Sequence, residues 1–177
     1  MPEAQVKDGV PQTAGWFVLN AADGPWLHND LRAVCRFGGQ GDAHFDELGF
    51  ALYWIEPGQA MTMYHAEGNQ EDFLVLQGSC VLIVEGVERP LGAWDLFHCP
   101  PGTPHAIAAA DEPALILAVG ARNARGSVHY PVDAAALRHG AGVAEATASP
   151  AEAYARFSEP RPGPPPEFPG SSQPAPT

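Results

Sequence analysis

The chain has 177 residues, 45% of them apolar, which is enough for one hydrophobic core and short for two full domains. Its 21 acidic residues outnumber nine basic ones, and the formal charge of −12 argues against nucleic acid and other polyanionic partners. A local pocket can still present Arg36, Arg122 or Arg125 to a small anion.

The N-terminus lacks a basic start followed by an apolar stretch, so it does not resemble a secretory signal. The run PALILAVGA is too short to cross a bilayer and is typical of a buried strand. The three cysteines are widely spaced and form no paired motif, which suits a reducing compartment. We therefore expect a cytoplasmic protein that does not enter a membrane.

The predicted elements begin after residues 1–14, which are polar, interrupted by Pro and Gly, and expected to form a flexible arm. Over residues 15–125, short β-branched and aromatic runs alternate with Gly, Pro, Asn and Asp. The first strand signal is 15–19, a loop containing Trp26 follows, and the segment MTMYHAE is one of the later strands. This spacing, without an intervening helix, predicts an all-β sandwich or barrel.

A helical extension is predicted over residues 126–159. The segment 132–140 is typical of a short helix that ends at Gly140. A second helix is indicated by Ser149 as N-cap, Pro150 at the first helical position and Glu152 placed for a capping box. Residues 160–177 are rich in Pro, Gly and Ser, so we expect an extended or disordered tail.

Four side chains within the barrel region have spacing that suits one metal ion. His65 and Glu67 are two residues apart, so in a strand they share a face. The turn GNQ would fold Glu71 back toward them, and His105 follows directly on a Pro-Pro-Gly-Thr-Pro turn that fixes its direction. Two imidazoles and two carboxylates therefore predict a site for one first-row metal ion.

These residues resemble the two motifs of the cupin superfamily, G-x5-H-x-H-x3,4-E-x6-G and G-x5-P-x-G-x2-H-x3-N. The matching positions are Gly58, His65, Glu71 and Gly78 in the first motif and Pro100, Gly102 and His105 in the second. Four positions depart from the pattern: Glu67 replaces the second His, Gly58 lies one residue too far from His65, Trp94 replaces the opening Gly, and Ala109 replaces the final Asn.

The resemblance implies a double-stranded β-helix, or jelly-roll, barrel with short C-terminal helices added. It also implies one divalent metal ion bound by His65, Glu67, Glu71 and His105, a small-molecule substrate, and a homodimer. Because Glu67 makes the site harder and more anionic, we expect iron, manganese or zinc ahead of nickel or copper.

Tyr64, Asp72 and His98 are the candidates for an acid or base beside the metal. By strand parity Tyr64 and Asp72 should face away from the ligands, which favours a structural role for both. A histidine at position 98 is more often a hydrogen-bonded barrel residue than a ligand. Cys99, next to the site, is more often a small packed side chain than a reactive one.

The leading interpretation is a metal-dependent enzyme that acts on a small polar metabolite by oxygenation, or by redox-neutral isomerisation or elimination. One alternative is a metabolite-binding or sensor protein without turnover. Another is a structural dimer with a vestigial metal site. Fold alone does not decide among these.

Overall fold

Twelve short strands form most of the regular structure of the computed structural model, which describes residues 1–39, 41–122, 128–169 and 171. In chain order they are β1 (Val6–Lys7), β2 (Val10–Pro11), β3 (Trp26–His28), β4 (Ala33–Phe37), β5 (Leu48–Ile55), β6 (Glu71–Gln77), β7 (Ser79–Val84), β8 (Val87–Gly92), β9 (Leu96–Cys99), β10 (His105–Ala109), β11 (Ala114–Ala121) and β12 (Arg161–Pro162). The helices are two 3-10 turns, Ala21–Asp23 and Gly41–Ala43, and two α-helices, α1 (Ala134–Arg138) and α2 (Pro150–Ala153).

Two antiparallel sheets enclose the core. The larger has the order β12-β3-β4-β5-β11-β6-β9, the smaller has the order β10-β7-β8, and β1 pairs with β2 in a separate hairpin. The predicted all-β architecture is confirmed. None of the helices in the described part of the chain has the length and apolar character needed to cross a membrane.

The main core lies between the two sheets because alternate side chains of each strand point inward. On β6, Phe73 and Val75 are buried and meet Ile107 of the smaller sheet. Full burial of each such side chain contributes about 1.5–3 kcal/mol. A second cluster covers the outer face of the larger sheet around Trp26 and Trp54.

Three predicted elements differ from the structure. The predicted strand 15–19 is reduced to one bridge, at Trp16. Trp26, placed in a loop by the sequence, begins β3, because its buried ring anchors the strand and its Nε1 donates to the Ala21 carbonyl at 2.8 Å. The segment MTMYHAE makes isolated bridges only, since the Tyr64 amide donates to the Ala141 carbonyl and the His65 amide donates to that of His105.

Both predicted helices are present. The Asp133 side chain caps α1 by accepting from the Ala136 amide at 2.8 Å. The Ser149 hydroxyl caps α2 by accepting from the Glu152 amide at 3.3 Å. The capping box is only half formed, because the Thr147 hydroxyl donates to the Glu152 carboxylate.

The C-terminal segment runs along the edge of the larger sheet. β12 pairs with β3, and the Phe168 ring packs 5.8 Å from that of Trp26. Residues 170 and 172–177 of the predicted tail, and the predicted domain boundary at 125 and 126, lie outside the described residues. The proposed division into arm, barrel, extension and tail stays a prediction.

Candidate metal centre

Three of the four predicted ligands meet at one end of the barrel interior. His65, Glu71 and His105 each offer one donor atom, and the three atoms lie within 4.8 Å of one another. The Glu71 Oε2 is 3.8 Å from the His65 Nε2 and 3.4 Å from the His105 Nε2. The two imidazole rings are 4.9 Å apart.

The backbone brings these residues together from distant parts of the chain. The His65 and His105 amides donate reciprocally to each other's carbonyls, at 3.0 and 2.9 Å. Gly102, in the left-handed region at φ +82°, turns the chain before His105, and its amide donates to the Glu67 carbonyl at 2.7 Å. Glu71 opens β6 and reaches the site from the facing sheet.

The second ring nitrogen of each histidine is already committed. The His65 Nδ1 donates to the Met63 carbonyl at 2.8 Å, and the His105 Nδ1 donates to the Thr103 carbonyl at 3.0 Å. A carbonyl can only accept, so each Nδ1 carries the proton and each Nε2 presents a lone pair. This arrangement is the one that metal-binding histidines usually have.

Burial keeps both imidazoles neutral and makes the carboxylate hard to ionise without a partner. Desolvation, with a contribution from His65, lowers the pKa of His105 to about 4. Desolvation also lowers the pKa of His65. It raises the pKa of Glu71 to about 8, with a further contribution from the charge of Glu67.

Among the described residues the buried Glu71 Oε2 and His105 Nε2 have no hydrogen-bond partner. These two atoms, with the His65 Nε2 beside them, fit a divalent cation that takes the place of the Glu71 proton.

Glu67 lies outside the three-residue cluster. Its side chain is half-buried, desolvation raises its pKa, and it is close enough to Glu71 for its charge to act on that residue. Its role as a fourth ligand stays a prediction.

The three acid or base candidates lie away from the cluster. The Tyr64 hydroxyl accepts from the Gly86 amide at 3.1 Å in a separate apolar cluster. On the outer face of the larger sheet, the Asp72 Oδ1 is 2.6 Å from the His98 Nδ1. The orientation expected from strand parity is observed for Asp72, and all three catalytic assignments stay predictions.

Cys99 lies beside the centre as a protonated thiol. Its Sγ is 3.3 Å from the His105 Nδ1, and desolvation, followed by the charges of Glu71 and Glu67, raises its pKa to about 12. At neutral pH it therefore packs as an uncharged side chain.

Two neighbours of His65 had no signal in the sequence. The Tyr130 ring, from the extension after the barrel, lies 5.8 Å from the His65 ring. Arg32 lies over the Tyr53 ring at 5.3 Å and lies close enough for its charge to contribute to the lowered pKa of His65. Neither residue belongs to a motif, and only the folded chain brings them to the site.

A cavity of about 150 Å³ opens next to Glu71. Its lining includes Arg36 and Arg122, two of the three arginines that the sequence offered to a small anion. The third, Arg125, lies outside the described residues. The site therefore combines a buried donor cluster with a positively charged approach.

Comparisons with known proteins agree on the architecture. Residues 51–120 match the family model described as a cupin domain. No curated protein sequence matches the chain. A solved structure of a cupin-superfamily sugar phosphate isomerase from Silicibacter pomeroyi is 29% identical, with a TM-score of 0.50; the match covers 60% of this chain and 73% of that one.

Two further structures share the fold alone. A polyketide cyclase from Streptomyces resistomycificus is 16% identical, with a TM-score of 0.54 over 62% of this chain and 81% of the other. An RmlC-like cupin from Shewanella frigidimarina is 17% identical, with a TM-score of 0.51 over 64% of this chain and 96% of the other.

Proposed function

We propose that this chain, which belongs to the cupin superfamily as its motifs predicted, is an enzyme that uses one divalent metal ion on a small polar metabolite. One observation carries the proposal. One donor atom each from His65, Glu71 and His105 converge within 4.8 Å, and the buried Glu71 Oε2 and His105 Nε2 have no hydrogen-bond partner among the described residues. A cation satisfies all three at once.

The donor set guides the choice of metal. Two imidazole nitrogens and one or two carboxylate oxygens suit divalent iron, manganese or zinc, with nickel and copper also able to bind. When bound, such an ion polarises a substrate oxygen and makes a neighbouring proton easier to remove. Glu67 is proposed to complete the ligand set, because its charge acts on Glu71 and contributes to the raised pKa of that residue.

Contacts within the chain fix the directions of the two imidazoles and keep water from the inner side of His105. The Met63 and Thr103 carbonyls fix the directions of the two imidazoles. The rings of Phe73 and Phe97 lie 5.2 and 5.7 Å from that of His105 and exclude water from its inner side. The cavity beside Glu71 leaves room for a substrate to approach.

The reaction we favour is a redox-neutral isomerisation or elimination. The likeness to a sugar phosphate isomerase supports this class over oxygenation. Such reactions move a proton next to a polarised oxygen, a task for a carboxylate at the site or for water. The predicted homodimer is retained as part of the proposal.

The test is the metal content of protein purified without chelator, for the wild type, His105→Ala and the matched control His98→Ala. We expect stoichiometric metal in the wild type and in His98→Ala, and a loss in His105→Ala. Circular dichroism confirms that each variant is folded. Equal metal in all three proteins would refute the site, and no metal under any loading condition would favour a binding protein without turnover.

Oxygen consumption by the iron-loaded protein separates the reaction classes. A redox-neutral enzyme consumes no oxygen when a panel of sugar phosphates and hydroxy acids is added. Substrate-dependent oxygen uptake would contradict the class that we favour while leaving the metal site intact.

A further inference from the structure

The cavity beside Glu71 is lined by two arginines as well as by that carboxylate. Arg36 on β4 and Arg122 just after β11 both line it. Among the described residues, neither guanidinium has a carboxylate within 4.0 Å, whereas Arg138 is paired with Glu88. The chain has a net charge of −12, yet these two arginines lie beside one cavity without a paired carboxylate in the described part of the chain. This arrangement indicates a binding site for a negatively charged ligand.

Strand register places the Arg36 side chain on the inner face of the barrel. Arg36 pairs with Ala51, Ala51 with Ala118, and Ala118 with Phe73 across four neighbouring strands. Directly opposed residues point to the same face, and Phe73 is in the core between the sheets. The Arg36 side chain therefore leaves the backbone on the inner face of the barrel and, because the residue is exposed, extends toward solvent.

The neighbouring row connects this arginine to the metal centre. Gly49 pairs with Gly120, and Gly120 pairs with Glu71. Gly49 and Gly120 have no side chain, and Ala51 and Ala118 in the neighbouring row have small ones. The space between the arginines and Glu71 is therefore open. A β-carbon at Gly120 would lie 3.9 Å from the Glu71 Oε1, so a larger side chain there would occupy the cavity.

Arg122 is held in place by its own contacts. Its Nη1 donates to the Phe45 carbonyl at 3.1 Å and lies 3.3 Å from the His44 Nε2. A β-carbon at Gly49 would come within 2.8 Å of the Arg122 Nε, so glycine at this position lets the guanidinium lie flat across the strand. Such a fixed guanidinium is well suited to a planar or tetrahedral oxyanion.

We propose that the substrate carries a carboxylate or phosphoryl group, which Arg36 and Arg122 bind at the barrel mouth while another oxygen of the same molecule reaches toward Glu71. The inference rests on the proposed function for the role of Glu71, and on the arginines alone for the anion. It narrows the substrate from a small polar metabolite to a small anion. The arginines thereby set both the class of substrate and its direction of entry.

Isothermal titration of manganese-loaded protein with 2-phosphoglycolate tests the proposal. Glycolate and inorganic phosphate, titrated separately, show which anionic group the arginines take. The variants are Arg36→Met, Arg36→Lys and Ala118→Leu, with Arg161→Met on the exposed edge strand as the charge-matched control. Manganese content is measured in every sample.

We expect Arg36→Met to weaken binding about 10- to 100-fold, as loss of a charge-assisted pair does. Arg36→Lys should recover part of the affinity, Ala118→Leu should weaken it by filling the cavity, and Arg161→Met should match the wild type. Equal affinity in Arg36→Met and the wild type, or no binding of any of the three probes by the wild type, would overturn the proposal.

The two proposals fail separately in this experiment. If manganese, iron, zinc, nickel and copper all fail to bind, the proposed function fails, and the phosphate titration of metal-free protein still tests Arg36. If manganese binds stoichiometrically but the probes bind without regard to Arg36, only the anion site is refuted.

Discussion

Glu71 and Asp72 are consecutive carboxylates on β6, and each faces a histidine on an opposite side of the same sheet. On the outer face, Asp72 accepts from the His98 Nδ1 at 2.6 Å and from the Gln70 Nε2 at 2.7 Å, with side chains 32% and 55% exposed for the Asp72–His98 pair. On the inner face, Glu71 is 3.4 Å from His105, whose side chain is 1% exposed, and the facing atoms make no hydrogen bond among the described residues.

The difference between the two pairs lies in where the histidine proton is. In the outer pair the Nδ1 proton is available for Asp72, so the pair completes itself. In the inner pair the His105 Nδ1 proton is used by the Thr103 carbonyl, which leaves two acceptors facing each other. A buried carboxylate beside a neutral imidazole acceptor needs either a proton or a metal cation between the two, and the raised pKa of Glu71 shows that the proton is held when no metal is bound, whereas an exposed, hydrogen-bonded pair needs nothing further.

The sharpest test of this comparison exchanges each carboxylate for its amide. Glu71→Gln should weaken metal binding by more than the roughly 10- to 100-fold that loss of an outer-shell partner costs, because Glu71 is proposed to bind the ion directly. Asp72→Asn should leave the affinity unchanged. Competition with a chromophoric chelator measures both. Similar affinities for the two variants would contradict the assignment of the inner pair as the metal site.

Metal should also stabilise the folded chain through the cluster that contains the inner pair, and the outer pair should play no part in this effect. A ligand that binds only the native state at 100 times its dissociation constant adds about 2.7 kcal/mol to the free energy of unfolding. We expect this gain for the wild type and for His98→Ala, and its absence in His105→Ala. Urea denaturation with and without added manganese measures it. A gain that survives in His105→Ala would place the ion elsewhere.

A smaller effect is expected for Glu67, which lies beside the inner pair without joining its cluster. If it completes the ligand set, Glu67→Gln should weaken metal binding by about 100-fold, the upper end of what loss of an outer-shell partner costs, and by less than Glu71→Gln does because Glu67 is only half-buried. The chelator competition distinguishes the two. An unchanged affinity in Glu67→Gln would reduce the ligand set to His65, Glu71 and His105.

The cluster of His65, Glu71 and His105 could be predicted from the sequence, because these three residues lie in the two motifs. The spacing of His65 and Glu71 and the turn before His105 predicted that these three side chains meet, as they do, and alternation in β6 separated Asp72 from Glu71. Strand parity is a local property, so the sequence is enough to determine it.

The parts that the sequence missed depend on long-range packing. Trp26 opens a strand because its ring is buried against the outer face of the sheet, and no local signal shows that surface. Tyr130 reaches His65 from beyond the barrel. The segment around Met63 does not form a regular strand because its backbone partners come from both β10 and the C-terminal extension. Such contacts are decided by the whole fold, and a single sequence does not reveal them.

The smallest expected effect is that of the outer pair on stability. Slight burial raises the pKa of Asp72, and the hydrogen bonds from Gln70 and His98 outweigh this and lower it below its ordinary value of 3.8. The pair therefore stabilises the fold fully above that value, and the contribution is lost as the pH falls through the lower pKa of the folded state. Being exposed, it should contribute less than about 1 kcal/mol. Urea denaturation of Asp72→Asn should show the same small loss at pH 7 and pH 5, shrinking below about pH 4. A loss of several kcal/mol in the free energy of unfolding would contradict this expectation. It would mean that water does not replace the partner of the outer pair, as it does not replace that of the inner pair.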